Sequence, residues 1–289
     1  MKLNMKRLVL LAFAIMMAAC AKDDTVIIFQ VSDPQLGFTT RNQDTVYETN
    51  TFTKGVMAIN AVKPDAVVLT GDLVHDCMDQ SQWDEYKRIE GMLDESISIF
   101  RIPGNHDILH KEGLDLEPFI KEFGSDRFCG KIGNVRLVGM DTNIIKYASG
   151  GTEEKELIQW LTEALAGKGE GELSIVFGHH PFFLNAPDEE DDYFNIETEK
   201  RKSYLRIFEE NKVDAVFCGH KHDNYEAADG TRPFITTSAL GKPLGEAPSG
   251  VRVIVCSKGR ISHSYFPVDE IPSSREEIIE TCRNLPICQ

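Results

Sequence analysis

Five short apolar runs in this chain each stop at a side chain that can ligate a metal ion, usually with a glycine beside it. Residues 26–32 run into Asp33-Pro34-Gln35, residues 66–70 into Gly71-Asp72, and residues 97–103 into Gly104-Asn105-His106-Asp107. Further on, residues 173–177 lead to Gly178-His179-His180-Pro181, and residues 213–218 to Gly219-His220-Lys221-His222. Short Val- and Ile-rich runs of this kind read as strands, and loops carried on rigid strands are where sites are built. Side chains two apart on an extended segment, such as Asp33 and Gln35 or His220 and His222, point the same way. The glycines let the backbone turn sharply there and bring short side chains to a common point.

Further strands are expected at 135–141, 233–238, 251–256 and 261–266, with amphipathic helices near 48–61, 80–94, 152–166 and 197–210. That alternation predicts an α/β or layered α+β protein. No internal repeat or low-complexity linker interrupts it. The long polar stretches are 34–47, 71–80, 103–117 and 185–196.

The candidate ligands are Asp33, Gln35, Asp72, Asn105, His179, His220 and His222. All offer oxygen or nitrogen, which suits Mn²⁺, Fe, Zn²⁺ or Mg²⁺ rather than Cu(I) or an iron–sulfur cluster. Seven are too many for one tetrahedral ion and fit two ions about 3.5–4 Å apart, bridged by a carboxylate. No Cys spacing suggests a sulfur-ligated metal.

In order and over residues 26 to 266, these motifs resemble the calcineurin-like metallophosphoesterase superfamily. The stretches Ser32–Gly37 and Phe182–Asn195 are similar to its calcineurin-like phosphoesterase-domain Ser/Thr phosphatases. The resemblance implies a four-layer α/β/β/α sandwich of two mixed sheets with a dimetal centre at the strand ends. It implies that Asp33, Gln35 and His222 hold one ion, that Asn105, His179 and His220 hold the other, and that Asp72 bridges them. His179 is preferred to His180 because the family's ligand stands two positions before the Pro, here Pro181. His106 would contact the phosphate or protonate the leaving oxygen, with Asp107 orienting its ring. A hydroxide bridging the ions would attack phosphorus in line, without a phosphoenzyme.

The implied function is metal-dependent phosphoester hydrolysis, with monoesters favoured; the substrate is a small organic phosphate or a phosphoprotein. Gln35 departs from the family's usual His, and this has two consequences. It leaves a phosphodiesterase or nucleotide pyrophosphatase acting on ADP-ribose-like substrates as the alternative. As a neutral amide donor it also shifts the metal preference towards Mn²⁺. A third reading is a catalytically inactive, lipid-anchored binding protein. His75, His180, Tyr193, Phe194 and Asn195 are candidates for the pocket wall, with Arg41, Asn143 and Lys221 as further candidate phosphate contacts. His110 and His263 are read as having no site role.

The net charge of −15 argues against nucleic-acid partners, because an acidic surface repels polyanions at long range. Lys2, Lys6 and Arg7 precede an apolar run from Leu8 to Ala19, and Met17-Ala18-Ala19-Cys20 resembles a bacterial lipobox. The expected organisation is a signal peptide at 1–19, a lipidated Cys20 with a tether to 25, a metallophosphoesterase domain at 26–268 and a tail at 269–289. The expected location is the bacterial cell envelope, as a monomer anchored through its lipid, preferentially in the outer membrane. Secretion or a periplasmic location with Cys20 unmodified is the alternative. Cys218 and Cys256 read as buried thiols, whereas Cys282 and Cys288 could pair.

Overall fold

A computed structural model describes residues 24–283. The leader expected at 1–19, Cys20 and Cys288 lie outside the described residues. Among the described residues, eleven strands form two sheets. The first holds β1 (Val26–Val31), β2 (Ala66–Thr70), β3 (Ser98–Ile102), β10 (Gly250–Ser257) and β11 (Arg260–Pro267), in the order β11-β10-β1-β2-β3. The second holds β4 (Phe128–Ile132), β5 (Val135–Gly139), β6 (Leu173–Phe177), β7 (Ala215–Cys218), β8 (Tyr225–Asp229) and β9 (Arg232–Thr236), in the order β4-β5-β6-β7-β9-β8. Both sheets are mixed. The site-bearing neighbours β1, β2 and β3 run parallel, as do β5, β6, β7 and β9.

Strand periodicity sorts the apolar side chains into three layers. On β1, Val26 and Ile28 point inward and meet Val68, Ile102, Phe177 and Phe217 between the sheets. Ile27, Phe29 and Val31 point outward to a cluster with Phe52, Val56 and Ile59 of α1 (Val46–Val62) and Trp83 and Tyr86 of α2 (Gln80–Glu90). The outer face of the second sheet is covered through Ile144 and Ile145 of α4 (Thr142–Tyr147), Leu157 and Leu161 of α5 (Thr152–Leu165), and Tyr204 and Phe208 of α6 (Thr198–Glu210). The result is the expected α/β/β/α sandwich.

All nine expected strands are present, but β4 and β8 were not foreseen. They are the two edges of the second sheet, and their alternating half-buried and exposed residues carry too weak an apolar signal. The short helices α3 (Glu117–Phe123) and α4 leave too little periodic pattern to be read, for want of length. The stretch expected as a tail at 269–289 carries a helix, α7 (Arg275–Arg283). Ile278 and Cys282 are buried in the first outer cluster, and Arg275 pairs with Asp65 at 2.9 Å.

Candidate metal centre

The strand-end loops hold their donors in an unusual backbone conformation. Asp33, Gln35, Asp72, His220 and His222 all have positive φ, between 38° and 68°. A left-handed conformation costs a non-glycine residue roughly 1–2 kcal/mol, so the surroundings must impose it. They do so by bonding loop to loop. Asp33 N donates to Gly71 O at 3.1 Å, Gln35 N to Asp72 O at 2.9 Å, Gly219 N to His179 O at 2.9 Å and Gly241 N to Asp33 O at 3.0 Å.

Two donor groups result, each with its ligand atoms within 4.8 Å of one another: Asp33, Asp72 and His222, and His179, His180 and His220. Asn105 joins the second, its Oδ1 lying 3.2 Å from His179 Nε2, which is also 3.2 Å from His220 Nδ1 and 3.5 Å from Asp72 Oδ1. Gln35 reaches the same point: its Nε2 donates to Asp72 Oδ2 at 3.4 Å. All seven expected ligands therefore converge, and all are buried.

The residues fit two divalent ions. Asp33 Oδ1, Gln35 Oε1 and His220 Nε2 are buried without hydrogen-bond partners, a costly state that cations and their bound ligands relieve. Two of the rings are oriented for ligation. His179 Nδ1 donates to Thr70 O at 2.8 Å and His222 Nδ1 to Lys242 O at 2.7 Å, turning each Nε2 towards the carboxylates. Electrostatics point the same way. Burial opposes charge on Asp72, yet His179, then His106 and His220, hold its carboxyl far below the usual range. Burial likewise disfavours charge on His179, but Asp72 raises its pKa to about 9. Burial and the neighbouring His179 push His220 well down. Cations would displace the proton that Asp72 holds on His179.

His106 stands at the rim. Its backbone N donates to Asp72 Oδ1 at 2.9 Å, its Nδ1 donates to His75 O at 2.9 Å, and its ring stacks on that of His75 at 4.6 Å. Asp107 does not orient this ring. Its Oδ1 accepts from Leu73 N at 2.8 Å and Val74 N at 3.1 Å, and its Oδ2 from Gly104 N at 2.8 Å. It staples the Asp72 loop to the Asn105 loop. Asn143 is no phosphate contact either: it is fully buried and donates to Gly104 O at 3.2 Å.

A cavity of about 760 Å³ opens beside Asn105 and His106 and is lined in part by His75, Leu109, His110 and Lys111. His110, read as having no site role, is a wall of this cavity and stacks on Tyr147 at 4.3 Å. A lone His in a polar loop carried no signal for it. His263 accepts from the buried Arg252 at 2.8 Å, and burial with that guanidinium holds its pKa down at about 3.

On the other side, the acidic segment after Pro181 spends its charges on itself. Glu189 accepts from Leu184 N, Asn185 N and Ala186 N, and buried Arg201 donates to Ile196 O and Pro187 O. Asn195, expected in the pocket wall, is instead a staple donating to Glu189 Oε1 at 2.7 Å. The loop thereby presents Tyr193 and Phe194 to His220, with ring centroids 5.2 and 5.6 Å away, and Lys221 lies over the Phe194 ring at 3.6 Å.

Two adjoining oxygen–nitrogen donor groups sharing a buried carboxylate, at the strand ends of an α/β/β/α sandwich, define a dinuclear metallophosphoesterase. The chain belongs to the calcineurin-like phosphoesterase family, which matches residues 28–224. It is 33% identical over 262 residues to the serine/threonine-protein phosphatase CPPED1 of Danio rerio, covering 84% of each chain. It is 26% identical over 228 residues to a cAMP/cGMP dual specificity phosphodiesterase of Mycobacterium tuberculosis, covering 72% of this chain and 68% of that one. In fold it resembles a dimetal phosphatase from Danio rerio, with a TM-score of 0.61 at 14% identity over 85% of this chain and 97% of the other.

Proposed function

We propose that the protein is a phosphomonoesterase acting on small organic phosphates or phosphoprotein. The observation that carries this reading is the position of His106, between the shared carboxylate Asp72 and the 760 Å³ cavity. An ester whose phosphoryl group meets the metal donors can direct its leaving group into this cavity, across the His106 ring. Asp33, Gln35 and His222 would hold one ion and Asn105, His179 and His220 the other, with Asp72 beside both donor groups. When bound, the ions supply a nucleophilic hydroxide at neutral pH and neutralise the phosphoryl oxygens. His106 delivers a proton from Nε2 to the departing oxygen, its other nitrogen fixed on His75 O. The serine/threonine phosphatase relative supports monoesters, and the acidic surface disfavours long polyanions.

The test is a substrate panel with Mn²⁺. Hydrolysis of p-nitrophenyl phosphate should outpace bis-p-nitrophenyl phosphate and ADP-ribose, and His106→Ala should keep its metal while losing most turnover. Faster diester or pyrophosphate cleavage would install the second reading, which Gln35 and the mycobacterial phosphodiesterase relative favour. We further read Cys20 as the lipidated first residue of an envelope-anchored monomer. Palmitate labelling that survives in Cys20→Ser would refute this.

A further inference from the structure

His180 is buried, and the ligand assignment leaves it unused. A ring nitrogen of His180 lies within 4.8 Å of ring nitrogens of His179 and His220, so proximity alone would make it another metal ligand. Its hydrogen bonds say otherwise. Thr142 Oγ1 accepts from His179 N at 3.2 Å and from His180 N at 2.9 Å, which uses both lone pairs of the hydroxyl. The hydroxyl proton must then go to the remaining partner, His180 Nδ1, at 3.0 Å. That places the ring proton on Nε2.

The arrangement is the reverse of that at His179 and His222, where Nδ1 donates to a carbonyl and Nε2 is turned to a carboxylate. Protonated Nε2 cannot ligate a metal, and here it is buried with no partner at all. An orphaned N–H costs about as much as a hydrogen bond contributes, so the fold tolerates it for an acceptor that arrives from outside. The His180 ring packs against that of His220, centroids 4.4 Å apart, directly beside the donors assigned to the second ion.

We propose that His180 is an N–H donor to a phosphoryl oxygen, an oxyanion subsite adjoining the metal donors, and that it does not ligate metal. Rings at this centre therefore divide by what their Nε2 meets: His179 and His222 turn it to the carboxylates, where a cation would displace any proton, and His180 turns an Nε2–H to the anion. Thr142 is the positioning residue that sets this tautomer. The inference rests on the phosphoryl-transfer reading above and adds to it the group that recognises the tetrahedral oxyanion.

Three measurements test it. In the metal-free protein, nitrogen-15 NMR of the imidazoles should show His180 protonated at Nε2, whereas a bare Nε2 would overturn the proposal. His180→Phe should bind two Mn²⁺ per chain like the wild type, while inorganic phosphate, titrated calorimetrically into the Mn²⁺-loaded protein, binds about 10- to 100-fold more weakly. His180→Gln, which carries an N–H near the position of Nε2, should recover much of that affinity, and it covers the case in which the Phe variant fails to fold. Loss of one metal per chain in the Gln or Phe variant, or unchanged phosphate affinity in both, would overturn the proposal. The two readings fail separately. A wild-type protein inert towards every monoester removes the proposed function, whereas unaltered phosphate affinity in the variants removes the role of His180 with that function intact.

Discussion

Gly104 is the position where one methyl group should do most damage to the centre. Its φ lies outside the left-handed region, so alanine brings no backbone strain and the effect is purely one of space. A Cβ there would stand 2.8 Å from Asp72 Cγ and nearer still to Asp72 Oδ1 and N. Reaching ordinary contact, about 3.5 Å, requires the carboxylate to retreat by about 1 Å. Residue 104 cannot yield instead, because its N is held by Asp107 Oδ2 at 2.8 Å and its O by Asn143 Nδ2 at 3.2 Å. Asp72 is the carboxylate that faces both donor groups, so its displacement loosens both ions. A shift of about 1 Å in a reacting centre costs about 100-fold in rate, and overpacking a tight site costs about 1–3 kcal/mol of stability. Gly104→Ala should accordingly lose about 100-fold in kcat/KM on p-nitrophenyl phosphate and bind less than two Mn²⁺ per chain after dialysis. Its Tm should fall by roughly 5 °C. Gly259→Ala is the control: φ is 70° with nothing within 4 Å of the added Cβ, so it carries backbone strain alone and should keep both ions. Full metal content and turnover within about twofold of wild type in Gly104→Ala would refute the reasoning.

Burial, with Asp126 next in effect, raises the Asp141 pKa to about 8. The folded state therefore retains a proton that the unfolded chain gives up near pH 4, so this group's stabilisation is full below that pH and is lost as pH rises to about 8. Asp141→Asn should remove a slope of up to ~1.4 kcal/mol per pH unit across that window, read from denaturant midpoints; identical pH profiles would contradict it. At the first metal position, Gln35 Oε1 is buried and unpartnered, the state of an oxygen awaiting a cation. Apo-protein should regain more activity with Mn²⁺ than with Zn²⁺, and Gln35→His should narrow or reverse that preference. A Zn²⁺ optimum in the wild-type titration would count against the argument.

Much of the site was legible because its donors sit at strand ends, and strands announce themselves by local composition. Asp33, Asp72, Asn105 and the histidines follow apolar runs of a few adjacent residues, and those before Asp33, Asp72, His179 and His220 are buried throughout. The roles of Asp107 and Asn195 were not legible. Both look like polar loop residues, and both turn out to bond groups whose positions depend on the folding of loops around them. His110 and the edge strands β4 and β8 were missed because a half-exposed element leaves little periodic signal.

By itself, the sequence determined the identity of the donors, their order along the chain and the glycines beside them, since these follow from residue type and spacing. Tertiary structure alone decided the left-handed backbone at five donor positions, the direction in which each imidazole presents its proton, and the approach of Tyr193 and Phe194 to His220. The first two are fixed by partners far away in the chain: Gly71 O for Asp33, Thr70 O for His179, Thr142 Oγ1 for His180. Such bonds exist only once strands distant in the chain have paired or the two sheets have packed, and no local pattern encodes them.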